Sequence, residues 1–280
     1  MTARAKRPFR QVNVFSASPL AGNPLAVVHD AEGLSEAQMG ALARWTNLSE
    51  TTFLLPPTEP GADYRVRIFT PGGELSFAGH PTLGSCHAWL AAGGAPRTPG
   101  LVVQQCGAGP VAVRCDGPRL EFAAPPLLRT GSLEPEVRAK IAAALGLSES
   151  DFVHHQWADN GPGWCAVMLS SARQVLELKP DWARLDPLKL GVVGPHEPGG
   201  DADFEVRAFI GGGGYEDPVT GSLNASLAQW LIGAGLAKPS YVAAQGAALQ
   251  RAGRVHLRKD GDEVWVGGDV VEVVRGEIGL

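Results

Sequence analysis

The sequence predicts an α+β protein with two similar halves, each containing several short strands and one enclosed helix. The first observation is an internal repeat, in which the alternating strand pattern of Tyr64–Thr70 returns at Phe204–Ile210. The second is that a glycine-rich turn and then an apolar helix follow each copy. Because this helix is apolar around most of its circumference in both halves, we expect the strands to enclose it. The 36 glycines and 22 prolines agree with many turns and short strands.

Further segments recur in the same order and support a duplicated fold. Gly22–Val28 precedes a helix predicted at about Ser35–Trp45. In the second half, Gly163–Leu169 precedes a helix predicted near Ser171–Leu178. The length of 280 residues also suits two cores of about 130 residues better than one small core.

The boundary between the halves is predicted in a stretch rich in proline, glycine and serine, Pro125–Pro135, which has no hydrophobic periodicity. We therefore expect an N-terminal domain over residues 8–125 and a C-terminal domain over residues 126–269. A final strand lies within residues 270–280. It could return to complete either domain.

Composition argues against several classes of partner. Lys and Arg number 24 against 29 Asp and Glu, and no basic cluster follows the first ten residues, so nucleic acid is not an expected partner. The chain has neither a membrane-length apolar run of about 18–20 residues nor the apolar core of a secretory signal, so we expect a cytoplasmic protein. Since no metal-ligand motif and no phosphate-binding glycine loop occurs, neither a metal nor another cofactor is expected.

The four cysteines are expected to be free thiols, because none lies in a metal-type pair and no secretory signal accompanies them. One alternative concerns Cys106 and Cys115. These two could face each other across a hairpin whose turn is predicted at Gly107–Pro110.

Each apolar helix is expected to begin at a polar residue followed by proline, His80-Pro81 in the first half and Asp217-Pro218 in the second. Asp217 has an ordinary explanation as a helix N-cap. Histidine is not a preferred cap, and Gly79 before it suggests a close approach of the backbone to another group. Two helix N-termini facing each other across a pseudo-twofold axis would form an anion-binding cleft, which would suit a small carboxylate-bearing molecule.

Glu50 is the third polar candidate, at the head of an apolar strand. A carboxylate that enters a desolvated site there would have its pKa raised toward the range useful for general acid–base catalysis. The alternative is a solvent-exposed glutamate at a strand end. Taken alone, Glu50 would be assigned to that second class.

Six segments, spread over nearly the whole chain, carry a resemblance to a known family: Val12–Phe15, Gly22–Val28, Ser49–Phe53, Arg67–Thr70, Phe77–Thr82 and Glu216–Ser222. Together they resemble the phenazine biosynthesis isomerase-like (PhzF-like) family, which shares its fold with diaminopimelate epimerase and proline racemase. The resemblance implies that each domain is a barrel-like curled β-sheet around a central α-helix, with the active site between the domains. It also implies that the protein is a homodimer.

The resemblance also implies roles for individual residues. The glutamate of the family's Ser-Glu-Thr-Thr-Phe-like motif shuttles a proton on a carboxylate-bearing substrate, and it corresponds to Glu50. His80, Asp217 and Ser222 would bind the substrate or assist the transfer. The related epimerases and racemases use one cysteine at each helix start, and the absence of cysteine there disfavours racemisation by two thiols. Neighbouring positions in the same motifs complete the expected binding site: Gly79, Thr220 and Gly221.

Three functions remain open at this stage. The first, which we favour, is a cofactor-independent isomerase in which Glu50 takes a proton from a small carboxylate-bearing substrate and returns it elsewhere. The second is an epimerase or racemase that uses Glu50 and Asp217 as two bases. The third is a non-catalytic protein that binds small carboxylates. The intact set of Glu50, His80 and Asp217 argues against the third.

Overall fold

The computed structural model describes residues 5–117 and 119–280 and divides the chain into two units. The first unit comprises the described residues up to Ala123 together with Gly267–Leu280, and the second comprises Ala124–Val266. Strands outnumber helices in both units, and the predicted α+β class is confirmed. Among the described residues, no helix is both long and apolar enough to cross a membrane.

The elements follow one another along the chain in a similar order in the two units. Those up to the division at Ala123 are β1 (Lys6–Val14), β2 (Asn23–Val28), α1 (Glu36–Thr46), β3 (Glu50–Leu55), β4 (Tyr64–Thr70), β5 (Gly73–Leu75), α2 (Gly79–Ala91), β6 (Leu101–Cys106), β7 (Gly109–Arg114) and β8 (Leu120–Ala123). Those after it are α3 (Pro135–Leu145), β9 (His154–Trp157), β10 (Trp164–Met168), α4 (Ala172–Glu177), α5 (Trp182–Leu185), β11 (Lys189–Pro195), β12 (Phe204–Ile210), β13 (Tyr215–Asp217), α6 (Gly221–Gly233), β14 (Ser240–Gln245), β15 (Gly253–Asp260), β16 (Glu263–Gly268) and β17 (Val270–Gly279).

The strand pairing repeats from one unit to the other. In the first unit β2 runs parallel to β3, β3 antiparallel to β4, and β4 parallel to β6. In the second unit β10, β11, β12 and β14 are joined in the same way. Helical segments connect the parallel strands, α1 between β2 and β3, and α4 with α5 between β10 and β11, as such crossovers require. The internal repeat is therefore a repeat of structure, and β17 adds to the first unit by pairing with β1.

An enclosed helix lies within each unit, as the apolar helix sequences predict. Helix α2 contacts β1, β2, β3, β6, β7, β8 and β17, and nine of its 13 residues are buried. It packs so closely that a Cβ atom on Gly84 would lie 2.5 Å from a methyl group of Leu25 on β2. Nine of the 13 residues of α6 are also buried, and a Cβ atom on Gly191 of β11 would lie 2.4 Å from Leu223. A side chain at either glycine would therefore require a neighbouring side chain to move.

The start of the second enclosed helix differs from the prediction. Helix α2 begins beside His80-Pro81, as expected. Helix α6 begins three residues beyond Asp217-Pro218, and its N-cap is Thr220. Asp217 is still in an extended strand, where it pairs with Ala208 of β12, and this pairing keeps it out of the helix. The interpretation of Asp217 as a helix N-cap is therefore wrong.

The two helices predicted between the parallel strands are confirmed, and both begin at serine caps. The Ser35 hydroxyl accepts from the backbone N–H of Gln38, and the side-chain oxygen of Gln38 accepts from the backbone N–H of Ser35. The Ser171 hydroxyl caps α4 by accepting from the Gln174 backbone. Serine is a preferred N-cap because its side-chain oxygen accepts a hydrogen bond from a backbone N–H that has no partner within the helix.

All four cysteines are free thiols. In the β6–β7 hairpin Cys106 pairs with Gly109 beside the turn, whereas the backbone of Cys115 bonds to Gly100 at the far end. The two cysteines therefore do not face each other, because the two-residue turn sets a register that places them at opposite ends of the hairpin.

An arginine at the repeated strand position binds a glutamate of the next strand in each unit. Arg67 donates from Nε and Nη2 to Glu74 at 2.7 and 2.6 Å. Arg207 donates from the same atoms to Glu216 at 3.0 and 2.7 Å. Each guanidinium group also lies over a phenylalanine ring, at 5.1 and 4.8 Å respectively. The pairs differ in burial, because the Arg207 side chain is 6% exposed and the Arg67 side chain 26%.

Candidate active site

Three sequence motifs of the first unit meet at the start of α2. Glu50 opens β3, and the parallel pairing of β2 with β3 places Leu25 beside it. His80 is the second residue of α2, and its ring lies near the backbone of Pro24 at the start of β2. The Nδ1 atom of His80 lies 3.3 Å from Oε2 of Glu50. The candidate proton-transfer residue and the histidine of the helix start are therefore neighbours.

Burial sets the protonation state of His80. Its side chain is 5% exposed and that of Glu50 is 14% exposed. Loss of solvation lowers the pKa of His80 to about 3, and the polar backbone of Pro24 opposes this only in part. The ring is therefore neutral near pH 7. Its Nε2 atom is buried and has no hydrogen-bond partner within the part of the chain that the structure describes.

The backbone at the start of α2 adds a positive potential. The N-cap residue, Ala78, has an extended conformation and supplies no side-chain cap. The first N–H groups of the helix, those of Gly79 and His80, thus lack a capping side chain and carry the positive end of the helix dipole. A negative charge placed here would be stabilised without any cationic side chain.

The neutral state of His80 predicts a loss of stability in acid. An unfolded histidine binds a proton near pH 6.5, whereas folded His80 does so near pH 3. Between these values the unfolded state binds one more proton, so the stability is complete above about pH 6.5 and falls as the pH is lowered. When the pH is lowered from 7 to 5, the free energy of unfolding measured with urea should fall by about 2 kcal/mol more in the wild type than in His80→Asn.

The matched control for this experiment is His154→Asn, because His154 is exposed on β9. This variant should lose as much stability between the two pH values as the wild type does. If the free energy of unfolding of His80→Asn falls by as much as that of the wild type, the assignment of a neutral His80 is wrong.

In the second unit, the segment from Asp217 to Ser222 forms a turn held by hydrogen bonds. The Thr220 hydroxyl donates to Oδ2 of Asp217 at 2.5 Å. The side-chain amide of Gln245, at the end of β14, donates to the Thr220 hydroxyl at 2.9 Å and to the Asp217 carbonyl at 3.1 Å. The turn therefore holds the Asp217 carboxylate close to the start of α6.

Two side chains hold Ser222, the second residue of α6. One lies in the loop before β10, and the other lies at the start of β10. Nε1 of Trp164 donates to the Ser222 hydroxyl at 3.1 Å. Nδ2 of Asn160 donates to the Ser222 carbonyl at 3.0 Å. These bonds orient the serine that occupies the helix position equivalent to His80 in the first unit.

The predicted site residues thus fall into two groups. Glu50, Gly79 and His80 lie together in the first unit, whereas Asp217, Thr220, Gly221 and Ser222 lie together in the second. Sequence reasoning did not identify the residues that hold them. Gln245 offers one usable signal, since it is a polar residue that ends an apolar strand, and Asn160 lies in an Asn-Gly turn. Within residues 5–117 and 119–280, no group of three or more His, Cys, Asp or Glu side chains is arranged to hold a metal ion.

Solved structures similar to this chain identify its fold. A phenazine biosynthesis protein of the PhzF family from Enterococcus faecalis superposes with a TM-score of 0.82, at 26% identity, over 99% of this chain and 100% of that chain. A hydroxyproline epimerase from Agrobacterium vitis superposes with a TM-score of 0.59 at 13% identity, over 100% of this chain and 93% of that chain. The second likeness is one of fold alone.

Sequence relatives give the class of enzyme and then the family. The trans-2,3-dihydro-3-hydroxyanthranilate isomerase of Pseudomonas chlororaphis is 32% identical over 96% of this chain and 98% of that protein. Antisense-enhancing sequence 1 of Schizosaccharomyces pombe is 36% identical over 96% of this chain and 97% of that protein. Relatives of this chain are named as isomerases, and the chain is an isomerase. The family model described as phenazine biosynthesis-like protein matches residues 12–276, and the chain belongs to that family, as its motifs predict.

Proposed function

We propose that this isomerase moves a proton between two carbon atoms of a small carboxylate-bearing substrate, with Glu50 as the group that carries the proton. The observation that carries the proposal is the position of Glu50, 3.3 Å from the buried, neutral His80 at a helix start without a side-chain cap. A carboxylate suits proton transfer when it lies within reach of the substrate and is largely shielded from water.

In the proposed reaction, the Glu50 carboxylate takes a proton from a carbon alpha to, or conjugated with, the substrate carboxylate. The electron pair left on the substrate spreads into that conjugated system. The N–H groups at the start of α2 stabilise the negative charge that develops, as preorganised donors do. Glu50 then returns the proton to a different carbon and is a carboxylate again, so that no other reactant is consumed.

His80 serves in this proposal as a neutral hydrogen-bonding group. Burial keeps its pKa near 3, so the ring does not supply a charge near neutral pH. A buried ring nitrogen without a partner costs free energy, and a substrate group that bonds to Nε2 would recover part of that cost. His80 would thus bind and orient the substrate beside Glu50.

In the second unit, Asp217 and Ser222 are proposed to act in substrate binding or in the transfer. Asp217 and Ser222 carry a carboxylate and a hydroxyl whose positions are held by Thr220 and Trp164. The names of the relatives suggest trans-2,3-dihydro-3-hydroxyanthranilate, a cyclic unsaturated carboxylate, as the first compound to offer to the protein.

Isotope transfer tests the proposed function. The compound is incubated with the protein in deuterium oxide, and the product is analysed by NMR. We expect a shifted double bond with deuterium at the new C–H position, or internal return of the original proton, without inversion at a stereocentre. Inversion with exchange from both enantiomers would instead favour the two-base epimerase. Binding of the compound, measured by calorimetry, without turnover would favour the non-catalytic alternative.

A further inference from the structure

A buried glutamine holds the start of the enclosed helix in the first unit. Gln104 of β6 is fully buried, and its side-chain amide donates to the Thr82 hydroxyl at 3.0 Å. Thr82 is the fourth residue of α2, and its hydroxyl donates in turn to the carbonyl of the N-cap residue, Ala78, at 2.9 Å. The phenol of Tyr64 donates to the side-chain oxygen of Gln104 at 2.9 Å. The glutamine thus fastens the first turn of the helix to the sheet.

The second unit has the same fastening, made from different atoms. Gln245 of β14 is 1% exposed, and its side-chain oxygen accepts from the Asn224 amide at 2.8 Å. Asn224 is the fourth residue of α6, and its amide also donates to the carbonyl of the N-cap residue, Thr220, at 2.9 Å. The two helix starts are therefore held by equivalent arrangements of a glutamine and the fourth helical residue.

Gln245 makes additional bonds that Gln104 does not make. Its amide donates to the Thr220 hydroxyl at 2.9 Å, and that hydroxyl donates to Oδ2 of Asp217 at 2.5 Å. In the first unit the N-cap position holds Ala78, which has no hydroxyl group. Helix α2 starts and packs without such a series of hydrogen bonds. The bonds from Gln245 through Thr220 to Asp217 are therefore not needed to hold an enclosed helix in this fold.

The direction of these hydrogen bonds follows from the inventory of donors. A threonine hydroxyl carries one proton. Since Gln245 donates to the oxygen of Thr220, the hydroxyl proton is left for the Asp217 carboxylate, which can only accept when ionised. A hydrogen bond to an ionised acceptor is stronger than one between neutral groups, so this contact restrains the carboxylate.

We propose that Thr220 and Gln245 are positioning residues, and that through the Thr220 hydroxyl they hold the Asp217 carboxylate in the orientation in which it acts on the substrate. This inference rests on the proposed function, because it gives Asp217 a part in the reaction. It also changes the role expected for Thr220, whose hydroxyl serves Asp217 and does not bind the substrate. Gln245 reaches Asp217 only through Thr220 and the backbone of the turn.

Thr220→Val is the discriminating variant, since valine keeps the shape of threonine and lacks its hydroxyl. Gln245 is less suitable because its replacement would also release the start of α6. Crystal structures of the wild type, Thr220→Val and Thr220→Ser provide the first test, which needs no substrate. We expect the Asp217 side chain to leave its position or to adopt several rotamers in Thr220→Val, and to return to its position in Thr220→Ser. An unmoved Asp217 in Thr220→Val would overturn the proposal.

Kinetics with trans-2,3-dihydro-3-hydroxyanthranilate provide the second test. In Thr220→Val we expect kcat to fall about tenfold, with KM changed less than about threefold, because the loss of one charge-assisted hydrogen bond is of this size. Thr220→Ser should recover most of the loss. In an Asp217→Asn background, Thr220→Val should lower kcat by less than about twofold, since the two residues act as a unit.

The outcomes separate this inference from the proposed function. An equal loss of kcat from Thr220→Val in both backgrounds would mean a merely structural role and would overturn the inference alone. Full activity in Asp217→Asn would remove Asp217 from the reaction and would overturn both the inference and that part of the proposed function. If the wild-type protein does not turn over this compound, the crystal structures decide the inference by themselves.

Discussion

Replacement of Glu50 by glutamine is expected to lower kcat by about 10³-fold or more, because the general acid–base group contributes about 10²–10⁴-fold and the amide cannot carry a proton. The substitution keeps the size and shape of the side chain beside His80. KM should change little, since the remaining binding groups are intact. Steady-state kinetics with trans-2,3-dihydro-3-hydroxyanthranilate and deuterium incorporation into the product both measure the effect.

Two controls accompany the Glu50 variant. Glu36→Gln removes an exposed carboxylate of the same unit and should leave kcat unchanged. The urea midpoint of Glu50→Gln should remain near that of the wild type, which separates lost chemistry from lost folding. If Glu50→Gln kept a tenth or more of the wild-type kcat, Glu50 would not be the proton carrier.

The repeat and the enclosed helices could be predicted because they depend on local patterns. Alternation in Tyr64–Thr70 and Phe204–Ile210 marks equivalent strands, and all-round apolarity marks α2 and α6 as interior helices. The serine caps at Ser35 and Ser171 are equally local. Each of these signals is contained within about a dozen residues, and tertiary packing did not override it.

The start of α6 was misplaced because a long-range contact outweighed a local rule. An aspartate followed by proline is a frequent helix start. Here Asp217 pairs with Ala208 on β12, so Asp217 belongs to strand β13 and is not available as the first residue of the helix. The side chain of Asp217 then bonds to the Thr220 hydroxyl and does not cap the helix. Sequence neighbours of Asp217 alone do not reveal a partner nine residues upstream.

The environment of Glu50 also lay beyond local sequence reasoning. Its strand position alone indicates an exposed acid, yet its side chain is 14% exposed and adjoins His80, 30 residues further along the chain. The parallel pairing of β2 with β3 and the packing of α2 on both strands produce this arrangement. The family resemblance implied a role for each residue separately, and the structure places the two side chains next to each other.

Breaking the Arg207–Glu216 pair should produce the largest loss of stability among the variants considered. Arg207→Met would leave the carboxylate of Glu216, which is 5% exposed, without its cation. It would also remove the donors to the carbonyls of Val175 and Leu178. Removal of one partner from a buried ion pair costs about 3–5 kcal/mol, so urea unfolding should show a decrease of that size.

Arg67→Met is the matched control, because Arg67 makes the same bidentate contact with Glu74 at a more exposed position. The loss there should be within about 1 kcal/mol, as is usual for ion pairs that water can screen. Arg207→Met combined with Glu216→Met should recover much of the stability, since two apolar side chains leave no unpaired buried charge. Equal losses from the two single arginine variants would contradict the argument that burial, and not the contact itself, sets the energy of these repeated pairs.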